Sequence, residues 1–210
     1  MTAAAFLLLA LALTAAVVDW IAVRHGQQQV EYVAKPATLA LLTLVALALD
    51  PRQADVRAWF VVALLLSLAG DVALMLPGDL FVPGLVAFLG AHLAYIVGLL
   101  LDRVLVCGLV LGLVLVAVGL AVVGLRLLGA VRTRDPAMAG PVLAYMGVIS
   151  AMVVCACATG RPLAIAGALL FYASDATLAW NRFVERHEYG DTAVMVTYHL
   201  AQMLLVLSLI

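Results

Sequence analysis

Residues 104–125, VLVCGLVLGLVLVAVGLAVVGL, form a run of 22 residues without a charged side chain. A helix that crosses the hydrocarbon core of a bilayer needs about 20 mostly apolar residues. An apolar run of this length predicts a transmembrane helix rather than a buried strand or a core helix. We therefore take the bilayer, and not water, as the solvent of this segment.

The composition extends that conclusion to the whole chain. Of its 210 residues, 67% are hydrophobic and only 11% are charged, and the mean hydropathy is +1.22. An ordinary soluble domain has roughly 25% charged residues. Eleven basic and twelve acidic side chains are too few to cover a soluble globule, and a net charge of −1 gives no basic surface for nucleic acid. The composition therefore excludes a soluble enzyme, a nucleic-acid binder and a disordered chain, and it predicts an integral membrane protein with the lipid bilayer as its partner.

Seven further segments are long and apolar enough to span a membrane. Short breaks rich in Pro, Gly, Asp and Arg separate them, for example Asp50-Pro51-Arg52 and Pro77-Gly78-Asp79. The first segment has no basic residue before it, so we interpret it as a retained helix rather than a signal peptide. The sequence predicts an all-α bundle of eight transmembrane helices that forms a single membrane domain, residues 1–210, with spans at about 3–23, 34–49, 58–76, 81–101, 104–128, 139–159, 162–181 and 192–210. The second span is short, and an extension back over Val30 to Val33 is the alternative.

The distribution of arginine and lysine predicts the orientation. An even number of spans places both termini on one side, and loops 1, 3, 5 and 7 then share the opposite side. Those odd loops hold seven basic residues against four in loops 2, 4 and 6, with Arg126, Arg132 and Arg134 among the seven. Because cytoplasmic loops are enriched in basic residues, we expect the odd loops in the cytoplasm, in a bacterial inner membrane.

Three matches suggest an internal repeat. Gly70-Asp71 resembles Ser174-Asp175 at an offset of 104, and His92-Leu93-Ala94 resembles His199-Leu200-Ala201 at an offset of 107. Lys35-Pro36 and Gly140-Pro141 open corresponding segments. The interpretation is a duplication of four helices plus four, with halves at about 1–103 and 104–210, related by an axis along the membrane normal. Coincidence in a chain built from few residue types is the alternative.

The ionisable residues inside the predicted spans lie toward the odd-loop ends of the helices. A charged group at the bilayer centre costs about 2.5–3.5 kcal/mol on insertion scales, so such residues are candidates for function. Asp71 and Asp175 lie about 9 Å inside the ends of their helices, at a rise of about 1.5 Å per residue. The opposite half has no ionisable residue within a predicted helix. A polar site that is open to one side fits an enzyme or a binder for an amphipathic lipid.

Each candidate has a structural alternative. Asp71 and Asp175 form the candidate catalytic pair, with His92 beside them, but all three also suit hydrogen bonds between helices. Lys35 is a candidate contact for a lipid headgroup, or it extends to the interface. We expect no metal, because no helix carries a paired-histidine motif, although two aspartates and two histidines keep zinc or iron open as an alternative. The three cysteines lie in apolar runs and do not indicate a disulfide.

These residues resemble the YhhN-like family, whose eukaryotic members are lysoplasmalogenases. The resemblance covers nearly the whole chain. It depends on the order and spacing of residues along the chain, namely Lys35-Pro36, Gly70-Asp71, Phe81, Gly84, Phe88, His92, Tyr95, Gly167, Phe171, Ser174-Asp175, Phe183, Tyr198 and Gln202.

The resemblance implies hydrolysis of the vinyl ether bond of lysoplasmalogens to a fatty aldehyde and a glycerophospho-headgroup, with no cofactor. Asp71 and Asp175 would be the catalytic acid and base, His92 and Tyr95 would orient water or carboxylate, and Lys35 would meet the phosphate. The remaining candidate residues for binding the lysophospholipid are Ser174, Asn181, Tyr198, His199 and Gln202. Two buried carboxyl groups that face each other can share one proton near neutral pH, which suits acid–base catalysis through an oxocarbenium-like state.

Two other classes stay open from the sequence. The parallel repeat is also typical of a transporter or a flippase of small amphipathic molecules, which would need a path to both faces. A structural membrane protein that uses its aspartates only for assembly would release no product. The sequence leaves the oligomeric state open.

Overall fold

Helices form the secondary structure of residues 2–78 and 80–210, the part of the chain that this computed structural model describes. Met1 and Asp79, the last residue of a predicted break, lie outside the described residues. A π-helical turn, Leu120–Gly124, joins α5 to α6, and a 3-10 turn, Pro136–Met138, precedes α7. In chain order the helices are α1 (Ala3–Arg24), α2 (Gln28–Ala48), α3 (Ala54–Met75), α4 (Phe81–Leu100), α5 (Val106–Gly119), α6 (Leu125–Arg134), α7 (Ala139–Thr159), α8 (Pro162–Phe183) and α9 (Gly190–Leu207).

Eight helical segments within the described residues are long and apolar enough to cross a membrane. Seven are single helices or helices with a short leading turn, and the eighth is the continuous segment Val106–Arg134 that α5, the π turn and α6 form together. In lipid, every backbone polar group must be satisfied inside its own segment, and helices of this length achieve that. The predicted all-α polytopic membrane protein with eight spans is confirmed.

Local signals set the helix ends. The Thr2 hydroxyl accepts a hydrogen bond from the Ala5 amide at 3.1 Å and so caps the start of α1. Gly160 ends α7 with φ of +65°, a left-handed conformation that suits glycine. Pro162 then starts α8, where its missing amide hydrogen costs nothing.

Seven helices form a closed ring. α1 packs on α2, α2 on α3, α3 on α4, α4 on α7, α7 on α8, α8 on α9, and α9 returns to α1. The α5–α6 segment packs outside this ring, against α7 and α8. The pairs α3–α4 and α8–α9 occupy corresponding places in the two predicted halves, but the repeat itself stays a prediction.

Close approach of α3 and α4 positions the site. A Cβ added to Gly70 would lie 2.6 Å from the Phe88 ring, so only glycine lets the ring of α4 rest on the backbone of α3 here. Asp71 follows Gly70 directly, and His92 lies one turn after Phe88. This contact therefore fixes the spacing of the two helices that carry Asp71 and His92.

The fifth predicted span was too short. The helix continues to Arg134, so Arg132 and Arg134 lie on α6 and not in a loop as predicted. Arg126, which was counted with the odd loops although the predicted span reached residue 128, also lies on α6. The physical reason is that α6 is amphipathic: Leu127 and Val131 are buried against α4, α7 and α8, while the arginines stay exposed.

Two other helices begin earlier than predicted. α2 starts at Gln28 and includes Glu31, and α3 starts at Ala54 with Asp55 and Arg57 near its beginning. The prediction that the far half has no ionisable residue within a helix was therefore wrong for Asp55 and Arg57. Both lie at the membrane interface end of the helix, where charged groups can reach water.

Candidate active site

A polar cavity of about 440 Å³ lies at the odd-loop end of the helix ring. Side chains from α1, α2, α3, α4, α8 and α9 line it, and both Asp71 and Asp175 are among them. Lys35, Ser174 and Tyr198 line the same cavity. Five of the sequence-predicted site residues therefore meet in one space, although they are spread over more than half of the chain.

Asp71 lies at the wall of this cavity with only 1% of its side chain exposed. The Tyr198 hydroxyl donates a hydrogen bond to Asp71 Oδ2 at 2.8 Å. The Lys35 ammonium is 3.8 Å from Asp71 Oδ1 and 4.0 Å from a carboxylate oxygen of Glu31. A hydroxyl donor and a cation thus face Asp71, which is the environment that stabilises a carboxylate.

Asp175 has a different environment. The Tyr145 hydroxyl donates to Asp175 Oδ2 at 2.5 Å, and Nε2 of His92 lies 3.5 Å from the same oxygen. Nδ1 of His92 is 2.6 Å from the Phe88 carbonyl oxygen, which can only accept. We therefore place the imidazole proton on Nδ1, so that Nε2 presents a lone pair to Asp175.

This arrangement distinguishes the two carboxyl groups chemically. Nε2 of His92 has no hydrogen-bond donor within reach, and a proton on Asp175 would supply one. Asp71 has a cation beside it, whereas Asp175 has a neutral imidazole and a phenol. The contacts suit a carboxylate at Asp71 and a proton-bearing carboxyl at Asp175.

An apolar groove adjoins the polar cavity. It has a volume of about 50 Å³, and α3, α4, α6, α7, α8 and the π turn line it. The groove and the polar cavity share Leu74, Phe88, Asp175 and Leu178. Asp175 therefore stands at the boundary between a polar space and an apolar one, with 12% of its side chain exposed.

Four predicted binding residues, Tyr95, Asn181, His199 and Gln202, line neither space, and two of them form a hydrogen bond with each other. The Tyr95 hydroxyl donates to Gln202 Oε1 at 2.5 Å, and Gln202 Nε2 donates to the Ser67 hydroxyl at 3.0 Å. All three side chains are fully buried. Their contacts hold α3, α4 and α9 together, and none of the three lines the cavity or the groove.

Ser174 and His199 also have structural partners. The Ser174 hydroxyl lines the polar cavity but donates to the Val194 carbonyl of α9 at 3.0 Å. His199 is completely buried, and its Nδ1 accepts a hydrogen bond from the Trp20 indole at 3.1 Å. Nearby, Asp19 of α1 is also buried, with an oxygen 3.9 Å from His199 Nδ1.

The remaining candidate, Asn181, lies at the end of α8. Its amide nitrogen donates to Asp191 at 3.4 Å. It lines a further cavity of about 370 Å³ at the mouth of the site, together with Arg182 and Arg186. Asn181 therefore belongs to the entrance and lies apart from the two aspartates.

Sequence reasoning missed Tyr145 and Glu31 as site residues. Tyr145 was not among the candidate residues, and Glu31 lies before the predicted second span, in the stretch over which that span can extend back. A polar aromatic residue inside an apolar helix is the signal that pointed to Tyr145. The start of α2 at Gln28 places Glu31 one turn before Lys35.

A metal site was one alternative from the sequence. Among residues 2–78 and 80–210, no three His, Cys, Asp or Glu side chains are grouped as a metal ion would require. Catalysis without a metal or an organic cofactor stays a prediction.

Comparison with known proteins identifies relatives over most of the chain. A family model described as the YhhN family matches residues 30–209. The human protein named Lysoplasmalogenase TMEM86B is 36% identical over an alignment of 155 residues that covers 70% of this chain and 61% of the human one. A Mycobacterium tuberculosis protein named Lysoplasmalogenase is 34% identical over 175 residues, covering 80% of this chain and 66% of that protein. The chain thus spans less than two thirds of the length of these relatives, and no solved structure matches it.

Proposed function

The chain belongs to the YhhN family, and on that premise we propose that it is a membrane-embedded hydrolase of ether lysolipids. Its substrate would be a lysoplasmalogen or a related lysolipid ether. Cleavage of the vinyl ether bond would give a fatty aldehyde and a glycerophospho-headgroup. Relatives that are named lysoplasmalogenases support this proposal.

The observation that carries the proposal is the position of Asp175. This carboxyl borders both the polar cavity and the apolar groove. In a lysoplasmalogen the vinyl ether joins the polar glycerophosphate to the alkenyl chain, so it is the one bond at the boundary of the two halves. A molecule that places its headgroup in the cavity and its chain in the groove would bring that bond to Asp175.

The contacts of the two aspartates support an assignment of roles. Asp175, next to Nε2 of His92 at 3.5 Å, would be the acid that protonates the β-carbon of the vinyl ether. An oxocarbenium ion then forms at the carbon bonded to oxygen. Asp71, next to Lys35 and Tyr198, would be the carboxylate that stabilises this cation and removes a proton from the attacking water.

The protons balance over the cycle. Asp175 gives one proton to the β-carbon, and Asp71 takes one from the water that adds to the oxocarbenium ion, which leaves a neutral hemiacetal. Collapse of the hemiacetal breaks the carbon–oxygen bond to glycerol, moves the hydroxyl proton to the glycerol oxygen and releases the aldehyde. The proton held by Asp71 then returns to Asp175 and resets the pair. Nε2 of His92 faces Asp175 and would accept a hydrogen bond from that proton-bearing carboxyl.

The other candidate residues would act by binding or positioning. Lys35, Ser174 and Tyr198 line the cavity that would receive the polar part of the lysophospholipid. Tyr95, His199 and Gln202 would act indirectly, because their buried hydrogen bonds hold α4 and α9 in position. None of the described contacts favours the transport alternative.

Aldehyde release from lysoplasmenylethanolamine in detergent micelles tests the proposal. We expect Asp71→Asn and Asp175→Asn each to lower kcat by at least about a hundredfold, the usual scale for loss of an acid or a base. Asp50→Asn is the matched control, because Asp50 is exposed just after α2 and lines neither space. Full activity in either folded site variant would remove that aspartate from the mechanism.

A further inference from the structure

Another cavity, of about 530 Å³, lies at the end of the bundle opposite the two aspartates. The loops that follow α2, α4 and α7 meet there, together with the residues that follow α9. Pro162 lines this cavity at the start of α8, and Asp175 lies about 20 Å further along the same helix at a rise of about 1.5 Å per residue. The cavity is therefore separate from the candidate active site, and we call it the far cavity.

The far cavity has an excess of positive charge. Each of the three loops contributes one arginine to its lining: Arg52, Arg103 and Arg161. Arg161 forms an ion pair with Asp102, the residue before Arg103. Among the described residues, no acidic side chain lies within ion-pair distance of Arg52 or Arg103. The charges of these two arginines are thus available to an anionic ligand.

Contacts between the loops hold the arginines in place. Nε of Arg103 donates to the Thr159 carbonyl oxygen at 3.0 Å, and the Arg161 amide donates to the Thr159 hydroxyl at 3.1 Å. Nη2 of Arg103 lies close to Gly160, because a Cβ on that glycine would be 3.8 Å from it. Gly160 itself lines the far cavity. Since Nε of Arg103 is already bonded, the Nη groups are the donors that remain for a ligand beside Gly160.

The start of α8 adds to this positive charge. The helix begins at Pro162 without a side-chain cap, and its first turn contains no acidic residue. Leu163 lines the far cavity, and its amide is one of those that have no acceptor within the helix. The positive end of a helix dipole, with its free amides, favours a phosphate group. The helix end and the arginines therefore select the same kind of ligand.

The apolar surroundings favour a lipid phosphate over a free anion. Leu163 lines the far cavity and is 40% exposed, and Val104, which follows Arg103, is 52% exposed. These side chains lie at the ends of membrane spans, where the hydrocarbon core meets the headgroup region. Basic pockets between membrane helices bind the headgroups of acidic lipids. Exposed leucine and valine beside such a pocket suit the acyl chains of the same molecule.

From this arrangement we propose that the far cavity binds the phosphate of an anionic membrane phospholipid. Arg52 and Arg103 bind the phosphate oxygens, while Arg161 stays paired with Asp102. One phosphate then connects the loops after α2 and α4 to the start of α8. A ligand that binds only the folded protein stabilises it, so the bound lipid holds this end of the bundle together. The inference does not depend on the proposed function.

Thermal unfolding in dodecyl maltoside tests the ligand. Dioleoylphosphatidylglycerol, dioleoylphosphatidylcholine and inorganic phosphate are added separately at equal concentration. At about ten times its Kd, phosphatidylglycerol should raise the Tm by about 3–5 °C, whereas the other two should give no comparable shift. Equal shifts with the two lipids contradict recognition of an acidic lipid. A shift with inorganic phosphate as large as that with phosphatidylglycerol assigns the cavity to a free anion and overturns the inference.

Variants of the arginines test the site. Arg52→Gln combined with Arg103→Gln should remove most of the shift caused by phosphatidylglycerol. Arg57→Gln is the matched control, because it removes a charge from the same end of the bundle but from a residue that does not line the far cavity. It should keep the shift of the parent. A parental shift in the double variant, or an equal loss in the control, overturns the inference.

A single variant covers the case in which the double variant does not fold. Among the described residues, the Arg52 guanidinium has no hydrogen bond or ion pair, so Arg52→Gln breaks no internal contact of that group. We expect Arg52→Gln to reduce the shift caused by phosphatidylglycerol. A shift equal to that of the parent would exclude Arg52 from the site and contradict the proposal.

Discussion

Replacement of Lys35 by methionine tests the charge arrangement around Asp71. The ammonium and the carboxylate are 3.8 Å apart, and their side chains are 5% and 1% exposed. At this separation the attraction is about 4 kcal/mol for an effective dielectric constant near 20. Removing one partner of a buried ion pair leaves an uncompensated charge and costs about 3–5 kcal/mol. We expect Lys35→Met to lower the free energy of unfolding by that amount.

A double-mutant cycle isolates the pair. Asp71→Asn keeps an oxygen that can accept from Tyr198 and removes only the charge, so neither member of the pair is charged in the double variant Lys35→Met, Asp71→Asn. We expect the coupling free energy between the two positions to be about 2–3 kcal/mol. Glu31→Gln is the control, because its carboxylate is 26% exposed and partly screened, and it should cost no more than about 1 kcal/mol.

Reversible unfolding in mixed micelles, titrated with sodium dodecyl sulfate and followed by circular dichroism, measures these free energies. Each variant is compared with the parent at the same detergent composition. Additive effects of Lys35→Met and Asp71→Asn, within about 0.5 kcal/mol, would refute the reasoning, because independent sites add to that precision.

Three further changes have outcomes that the structure specifies. Tyr95→Phe removes the donor to Gln202 and should lower the free energy of unfolding by about 1–2 kcal/mol, with thermal unfolding as the measurement. Gly108→Ala should cost about 1–3 kcal/mol, because the new Cβ would overlap the backbone of α7, whereas Gly129→Ala, with open space around it, should be neutral or slightly stabilising. Ala179→Phe fills the apolar groove and should raise KM more for a long alkenyl chain than for a short one, and equal effects would argue against chain binding there.

The fold was predictable because each span depends on local composition alone. Apolar length determined the eight spans, and Pro162 and Gly160 fixed the boundary between α7 and α8. The helix ends that were predicted wrongly are those at which amphipathic turns continue beyond the hydrocarbon core. In α6, for example, Leu127 and Val131 face the bundle while the arginines face outward. Hydropathy does not separate such a turn from a polar loop.

The site was predictable only in part. Asp71, Asp175 and His92 were recognisable because an ionisable group inside a membrane helix is costly and therefore rare. Which of these residues share a space depends on the rotation of each helix about its axis, and spans that are apolar on nearly every face give little information on rotation. The resemblance seen in the sequence included Tyr95, Gln202 and Tyr198 alike, yet Tyr95 and Gln202 form a buried contact while Tyr198 faces the cavity.

The α1 helix adds a contribution that family resemblance did not indicate. Asp19 is completely buried beside His199, and the indole of Trp20 bonds that histidine. The family match begins at residue 30, after α1 ends. The environment of His199 thus depends on a segment outside the matched region.

Asp175 lies where the polar cavity meets the apolar groove, and this position would determine which bond of a ligand is cleaved. Under the proposed function, the junction between the polar headgroup and the apolar chain of a ligand sets its position in the site. The length of the alkenyl chain would then change how far the chain extends between the helices. It would not change which bond of the ligand lies next to Asp175. A detergent-like molecule with its polarity change displaced by a few atoms would bind and yet escape cleavage.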